Sequence, residues 1–208
     1  MRTYVYVDAF NLYYGCLKGT PYRWLNLESL CRRLLVSTND VRRIKYFTSR
    51  VSARPDPGQP VRQQAYLRAL ATLSCLEVHY GHFLTHETTM PCVVPPGATQ
   101  TYARVFKTEE KGSDVNIATH LMADAYASKF DLAVLITGDS DLLAPVRHLT
   151  QHVRRHVGVI NPQSRECVVL RRAATFYKHI RPNVLKASQF PDQLTDRVGT
   201  FYRPSQWK

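Results

Sequence analysis

The segment that most constrains the fold is Lys111 to Leu143, KGSDVNIATHLMADAYASKFDLAVLITGDSDLL. It reads as a helix, a short link, a buried strand and an acidic turn. Ser113 carries a capping side chain and stands just before a helical pattern. Ile117, Ala118, Leu121, Met122 and Ala125 recur at helical spacing and form an apolar stripe. Asp114 lies on that stripe, because at about 100° per residue Ala118, Leu121 and Ala125 all fall within roughly 40° of it. The run Leu132 to Thr137 is short and unbroken, the pattern of a strand covered on both faces. It ends in Gly138, Asp139, Ser140 and Asp141, which set acids around a glycine-led turn.

A helix that feeds a parallel strand runs antiparallel to it, so the helix start lies beside the strand's end. Asp114 is therefore expected beside Asp139 and Asp141 at the carboxyl edge of the sheet, where open α/β sheets bind their ligands. Carboxylates crowded at one buried edge repel one another unless a proton or a cation lies between them. A divalent metal is the economical solution.

The start of the chain points to the same edge. Thr3 to Val7 alternates β-branched and aromatic residues as a strand does, and Asp8 follows it. Asn11 comes about one helical turn later. Alone, Asp8 reads as a helix cap and Asn11 as a solvated side chain. Their convergence with the other acids is what gives them a role.

Alternating patterns continue through the chain. Asn26 to Leu35 reads as a capped amphipathic helix, and Asp40 to Val51 holds a second strand with cations at Arg42, Arg43, Lys45 and Arg50. Ser52 to Pro60 is punctuated by Pro and Gly and reads as a basic lip over the site, with Arg50 and Arg54 on its rim. A helix over Arg62 to Leu73 and a strand from Leu76 follow. Residues 80–108 read as a hairpin-like insertion containing a strand at Tyr102 to Phe106. Its His79, His82, His86 and Cys92, with Cys75, match no standard zinc knuckle, and histidines near a phosphate backbone are the expected use. After the acidic turn come a helix, a strand at Arg155 to Ile160, a helix over Ser164 to Ala174 and a short strand. The expected organisation is one α/β domain over 1–180, followed by a helix and tail over 181–208, loosely packed or used in homodimer contacts. Core strands are expected at Tyr4 to Val7, Ile44 to Thr48, Leu132 to Thr137 and His156 to Ile160.

Composition narrows the partners. The chain has 28 Lys and Arg against 16 Asp and Glu, a formal charge of +12, which favours a polyanion such as nucleic acid. The acids are concentrated in motifs, whereas Arg is spread along the chain. The sequence holds no membrane-length apolar run, and its N-terminus begins as a strand, so no signal peptide is expected. Five scattered cysteines fit a reducing cytoplasmic setting. Neither a Gly-rich phosphate loop nor a Ser-His-Asp arrangement is present.

The order Asp8-x-x-Asn11 after the first strand, then Lys111-Gly-Ser-Asp114 at a helix start, then Thr137-Gly-Asp-Ser-Asp141 after a later strand, resembles the NYN domain of the PIN-like nucleases. Ala187-Ser-Gln-Phe-Pro191 looks like the tail of its bacterial LabA-like branch. The resemblance implies a three-layer α/β/α Rossmann-like fold with a central, mostly parallel sheet, and metal-dependent, endonucleolytic cleavage of RNA. By position it assigns Asp8, Asp114, Asp139 and Asp141 to the acidic set and Asn11 to its polar partner. Glu110 and Asp124 are further acids nearby, neither expected to ligate a metal. Hydrolysis of a phosphodiester calls for Mg²⁺ or Mn²⁺ held by carboxylates. Asp8, Asp114 and Asp139 are expected to hold the ion or its waters, Asp141 to complete the site, and Lys111 and Ser140 to meet phosphate. The rival reading is an RNA-binding module without turnover, with Tyr13, Tyr14, Tyr66 or Tyr80 as stacking platforms.

Overall fold

The computed structural model describes residues 1–54, 56–93 and 101–207. Its centre is a parallel sheet of β1 (Arg2–Asp8), β2 (Asp40–Thr48), β3 (Leu76–Tyr80), β6 (Leu132–Ile136), β7 (His156–Asn161) and β8 (Phe176–His179), in the order β3-β2-β1-β6-β7-β8. Val5 of β1 lies opposite Ile44 on one side and Val134 on the other, so the two expected inner strands flank the first in register. Strand alternation then builds the core on two faces. Val5, Val7, Ile44, Tyr46, Val134 and Ile136 face one helical layer, while Tyr6, Phe47, Ala133 and Leu135 face the other.

The first layer holds α1 (Ala9–Leu12), which runs on as a π-helical turn over Tyr13–Leu17, with α2 (Leu27–Leu34), α3 (Gln59–Leu70) and α7 (Pro182–Ala187). The second holds α4 (Ser113–Tyr126), α5 (Leu143–Gln151) and α6 (Val168–Ala173). Together they give the three-layer, Rossmann-like architecture expected from the alternating pattern.

Boundaries differ from the sequence reading in instructive places. Helix α3 begins at Gln59, so Pro60 belongs to its first turn, where a missing N–H leaves no bond unmade. It ends at Leu70 rather than Leu73. Ser113 is the first residue of α4 and does not cap it. Gly112 takes the cap position at φ +96°, a conformation glycine adopts without steric penalty, and the Ser113 hydroxyl bonds Glu110 instead. The insertion is an antiparallel hairpin of β4 (His82–Pro91) and β5 (Tyr102–Lys111). Its second strand runs on to Lys111, beyond the predicted stop, and hands directly to α4. The middle of the predicted insertion, residues 94–100, lies outside the described residues, as does Pro55 of the predicted lip.

The tail is part of the core. Beyond α7, β9 (Gln193–Asp196) and β10 (Gly199–Tyr202) pair as a hairpin. Phe190, Phe201 and Trp207 surround the fully buried Trp24 with ring centroids 5.9, 6.5 and 6.2 Å away. The Trp24 indole N–H donates to the Pro191 carbonyl at 2.8 Å. The loose packing expected from a Pro- and Gly-containing tail gives way to this long-range aromatic cluster. Among the described residues no helix is long and apolar enough to cross a membrane.

Candidate active site

Strand β1 is central, and the chain leaves it toward β2 on one side, while β6 on its other side continues away to β7. The loops after β1 and β6 therefore part and leave a crevice between them, the usual ligand position of an open parallel sheet. Asp8 is the last residue of β1 and Asp139 follows the end of β6, so both acids stand at that crevice.

A chain of hydrogen bonds fixes them. The Asp139 N–H donates to the Thr137 hydroxyl at 3.1 Å, and that hydroxyl donates to Oδ2 of Asp8 at 3.2 Å. Oδ1 of Asp8 accepts from the Asn11 N–H at 2.9 Å, so Asp8 also caps α1. Asn11 ties the two loops together, its Oδ1 accepting from the Gly138 N–H at 2.8 Å and from Gln163 at 3.1 Å. Gly138 has no room for a side chain, since an added Cβ would lie 2.5 Å from Oδ1 of the buried Asn161. Asp139 in turn caps the short 3-10 turn Ser140–Leu142 by accepting from the Asp141 N–H at 3.0 Å.

Asp114 reaches the crevice from the first turn of α4, as the helix–strand argument requires. A cavity of about 480 Å³ is lined by Asp8, Asn11, Asp114, Asp139 and Glu110, with Phe10, Phe83 and Arg54 among its walls. Burial pushes the Asp8 carboxyl up to about 6, with repulsion from Asp114 and Asp139 adding to the rise and the bonds from Asn11 and Thr137 opposing it. Asp114 is raised as well, first by burial and then by Asp139, Glu110 and Asp141. The acids thus share one negative potential.

Glu110, a further acid near the second motif that is not expected to ligate a metal, lines the same cavity. Its Oε1 accepts from the hydroxyls of Ser49 and Ser113, both at 2.8 Å, and it shares the cavity with Asp8, Asp114 and Asp139. The signal for it lay in strand alternation ahead of Gly112, hidden because β5 runs longer than its composition suggests. Asp141 is exposed and does not line the cavity, although its charge reaches Asp114. Ser140 and Lys111 are exposed, and the Lys111 ammonium pairs with Glu109 at 3.2 Å. Arg54 lines the cavity with its guanidinium 5.0 Å from the centre of the Phe106 ring of β5, and Arg50 sits 5.4 Å over Tyr80. The lip and the hairpin therefore meet above the acids. Phe83 of β4 packs edge-on against Phe10 at 5.5 Å, which makes the insertion one wall of the site.

Asp124 has a different use. It is buried on the opposite face of β2, where Lys45 pairs with it, Lys129 reaches it at 3.1 Å and the Tyr6 hydroxyl donates at 2.8 Å. Burial alone would raise its pKa, but these hydrogen bonds outweigh burial and the net shift is downward. Of the histidines read as phosphate contacts, His79 stacks on Phe47 at 5.0 Å and adjoins His120, while His82 and His86 are exposed on β4.

The donor set suits a hard divalent ion, since carboxylate and amide oxygens are the ligands Mg²⁺ and Mn²⁺ take. Mutual repulsion among the acids is the tension such an ion relieves. Among the described residues no three acidic, His or Cys side chains stand as a ready-made metal cage. An ion here would keep water on several sides, as Mg²⁺ characteristically does.

An open parallel sheet with converging carboxylates at its switch crevice defines a Rossmann-like α/β domain with an acidic ligand site. The chain belongs to the NYN domain family, whose model matches residues 2–181. It is 30% identical over 236 aligned positions to the 6-hydroxy-3-succinoylpyridine 3-monooxygenase HspA of Pseudomonas putida, covering 100% of this chain and 75% of that protein. A solved structure of a protein of unknown function from Vibrio parahaemolyticus superposes with a TM-score of 0.54 at 20% identity, over 88% of this chain and 94% of that one, a likeness of fold.

Proposed function

We propose that the chain is a metal-dependent ribonuclease that hydrolyses RNA phosphodiester bonds at the carboxyl edge of the sheet. One observation carries the reading: Asp8, Asp114 and Asp139 come from three separate segments to one cavity, where burial and the neighbouring acids raise the proton affinity of Asp8 and Asp114. A fold has no structural need for such a cluster, whereas phosphodiester hydrolysis does. Asp8, Asp114 and Asp139 would hold Mg²⁺ or Mn²⁺ or its waters, with Glu110 and Asp141 at the margin. The ion supplies activation of water and neutralisation of phosphoryl charge. The residues of the chain supply position: Thr137 sets the spacing of Asp8 and Asp139, Asn11 locks the two loops, and Arg54 meets the phosphate backbone at the rim. We place the activity in the cytosol, in keeping with the free thiols of Cys16, Cys31, Cys75, Cys92 and Cys167.

The test is cleavage of end-labelled single-stranded RNA, structured RNA and DNA in Mg²⁺, Mn²⁺ and EDTA. Wild type should cut RNA with either ion and stop in EDTA. Asp139→Asn should lower single-turnover cleavage at saturating RNA by orders of magnitude, while RNA binding measured in calcium persists or tightens, since a negative charge facing phosphate has gone. Equal cleavage by the two proteins would end the nuclease reading of this site and leave an RNA-binding module. Dioxygen consumption on adding a hydroxypyridine carboxylate together with a reduced nicotinamide as two-electron donor, with RNA uncut, would instead favour the activity named for the Pseudomonas putida relative.

A further inference from the structure

A second cavity of about 480 Å³ adjoins the acidic one, and the two share Phe10, Tyr14, Val51 and Gln59 in their walls. Aromatic rings dominate it. Tyr46 and Tyr66 meet edge-on at 6.3 Å, Tyr66 and Trp207 at 6.1 Å, and Tyr13 and Tyr14 at 5.2 Å. Its floor comes from β2, where Tyr46 and Thr48 project to the same face. They are 7% and 2% exposed, and both line the cavity. The Tyr66 hydroxyl is engaged elsewhere, donating to the Leu25 carbonyl at 2.8 Å.

The rim is cationic. Lys18 lies 4.9 Å over the Tyr14 ring and Arg23 lies 5.6 Å over Trp207, and neither has an acidic partner among the described residues. The acid in the wall, Asp56, is paired with Arg62. A ligand matched to this cavity is therefore flat and aromatic, has a hydrogen-bonding edge for Tyr46 and Thr48, and carries a negative charge for Lys18 and Arg23. A nucleotide has all of these features.

We propose that this cavity is a nucleobase slot, seating the base of a nucleotide beside the phosphate held at the acids, with that nucleotide's own phosphate against Lys18 and Arg23. The substrate class rests on the ribonuclease reading of the adjacent acids, whereas occupancy of the slot does not. A single base docked beside the scissile phosphate would set the register of the cut on an otherwise sequence-blind cationic surface.

The experiment uses the full chain in EDTA, as wild type and as Asp139→Asn. Nucleoside 5′-monophosphates, inorganic phosphate and a hydroxypyridine carboxylate are titrated and followed by tryptophan fluorescence, to which Trp207 in the wall contributes. A five-nucleotide RNA and the same strand lacking one base are titrated in parallel. Tyr14→Leu and Lys18→Ala test the slot, both being exposed positions where folding should survive. At least one monophosphate should bind tenfold or more tighter than inorganic phosphate, and each variant should weaken it about tenfold. The RNA should lose about tenfold when one base at the preferred position is removed. Nucleotides binding no better than phosphate, or variants indistinguishable from wild type, would overturn the slot. So would tighter binding of the hydroxypyridine carboxylate, which would assign the cavity to small aromatic acids. RNA indifferent to base removal would overturn its role in the strand. Nucleotide binding by a chain that cuts no RNA would keep the slot and remove the nuclease, while cleavage without nucleotide binding would remove the slot alone.

Discussion

Asp8 ties the chemistry of the site to the stability of the fold. Its carboxyl is pushed up to about 6 from an ordinary value of 3.8, so the folded chain holds that proton more tightly than the unfolded chain. Between those values stability falls as pH rises, and above the upper one the full penalty applies, about 1.4 kcal/mol for each pKa unit. Asp8→Asn keeps a capping side chain and removes the charge. Its melting temperature should exceed that of wild type at about pH 7.5 in EDTA, with the gap closing by about pH 4. Mg²⁺ should raise the wild-type value at the higher pH and leave Asp8→Asn nearly unmoved, and an equal response of the two would remove Asp8 from the proposed metal site. The opposite balance holds at Asp124, whose charge is compensated by Lys45, Lys129 and Tyr6. Asp124→Asn leaves the buried Lys45 without its carboxylate and should lower stability by about 3–5 kcal/mol in urea unfolding. The acids of the crevice were legible in the sequence because each follows a strand or opens a helix, and strand direction alone brings such positions together. The partner of Asp124 was not, because no local pattern joins residues so far apart in the chain. A hint existed in Lys45, a cation centred in a strand buried on both faces, which must find an anion.

At the scale of elements, the parallel strands were readable because unbroken apolar runs and their flanking turns are local signals. The two hairpins were harder. β4 and β5 expose most of their side chains to solvent, so their polar composition hides their extent, and β5 carries Glu110 into the site while Phe83 of its partner strand packs on Phe10. The β9–β10 hairpin reads as a tail because its apolar residues are sparse and their partners, Trp24 above all, lie near the other end of the chain. Its contribution is measurable. Phe201 is buried against Trp24, and Arg68 stacks on its outer face at 4.2 Å while binding Asp196 of the same hairpin through both of its carboxylate oxygens. Phe201→Ala should lower stability by about 3–5 kcal/mol, the usual range for truncating a core aromatic ring. A loss under about 1 kcal/mol in chemical denaturation would mean that the hairpin is dispensable trim on the domain. Removing residues 188–208 takes away Phe190, Phe201 and Trp207 together, and should leave a chain that fails to fold cooperatively by circular dichroism.

For the molecule as a whole, the charge of +12 is unevenly available. Several cations are held by acids, including Arg2 with Asp131, Arg68 with Asp196 and Lys111 with Glu109. Arg50 and Arg54 have no acidic partner among the described residues; Arg54 lines the acidic cavity and rests on Phe106, and Arg50 rests on Tyr80. Neither guanidinium is neutralised by a carboxylate, which leaves both available to a phosphate in the proposed role. RNA affinity should fall steeply as salt rises, since each phosphate neutralised releases bound counterions and a single strand contributes a slope of about −0.7 per contact. Arg50→Ala and Arg54→Ala should each weaken binding across all sequences and flatten that slope by about one contact's worth. Lys111→Ala should change it less, because its ammonium is already engaged by Glu109. Cleavage at saturating RNA should remain within about threefold of wild type in the arginine variants, since they act on encounter and not on the acids. The measurement is a binding titration in calcium at four or five salt concentrations for wild type and the three variants. A salt slope unchanged by either arginine variant, or one shifted most by Lys111→Ala, would show that RNA approaches over some other face of the domain.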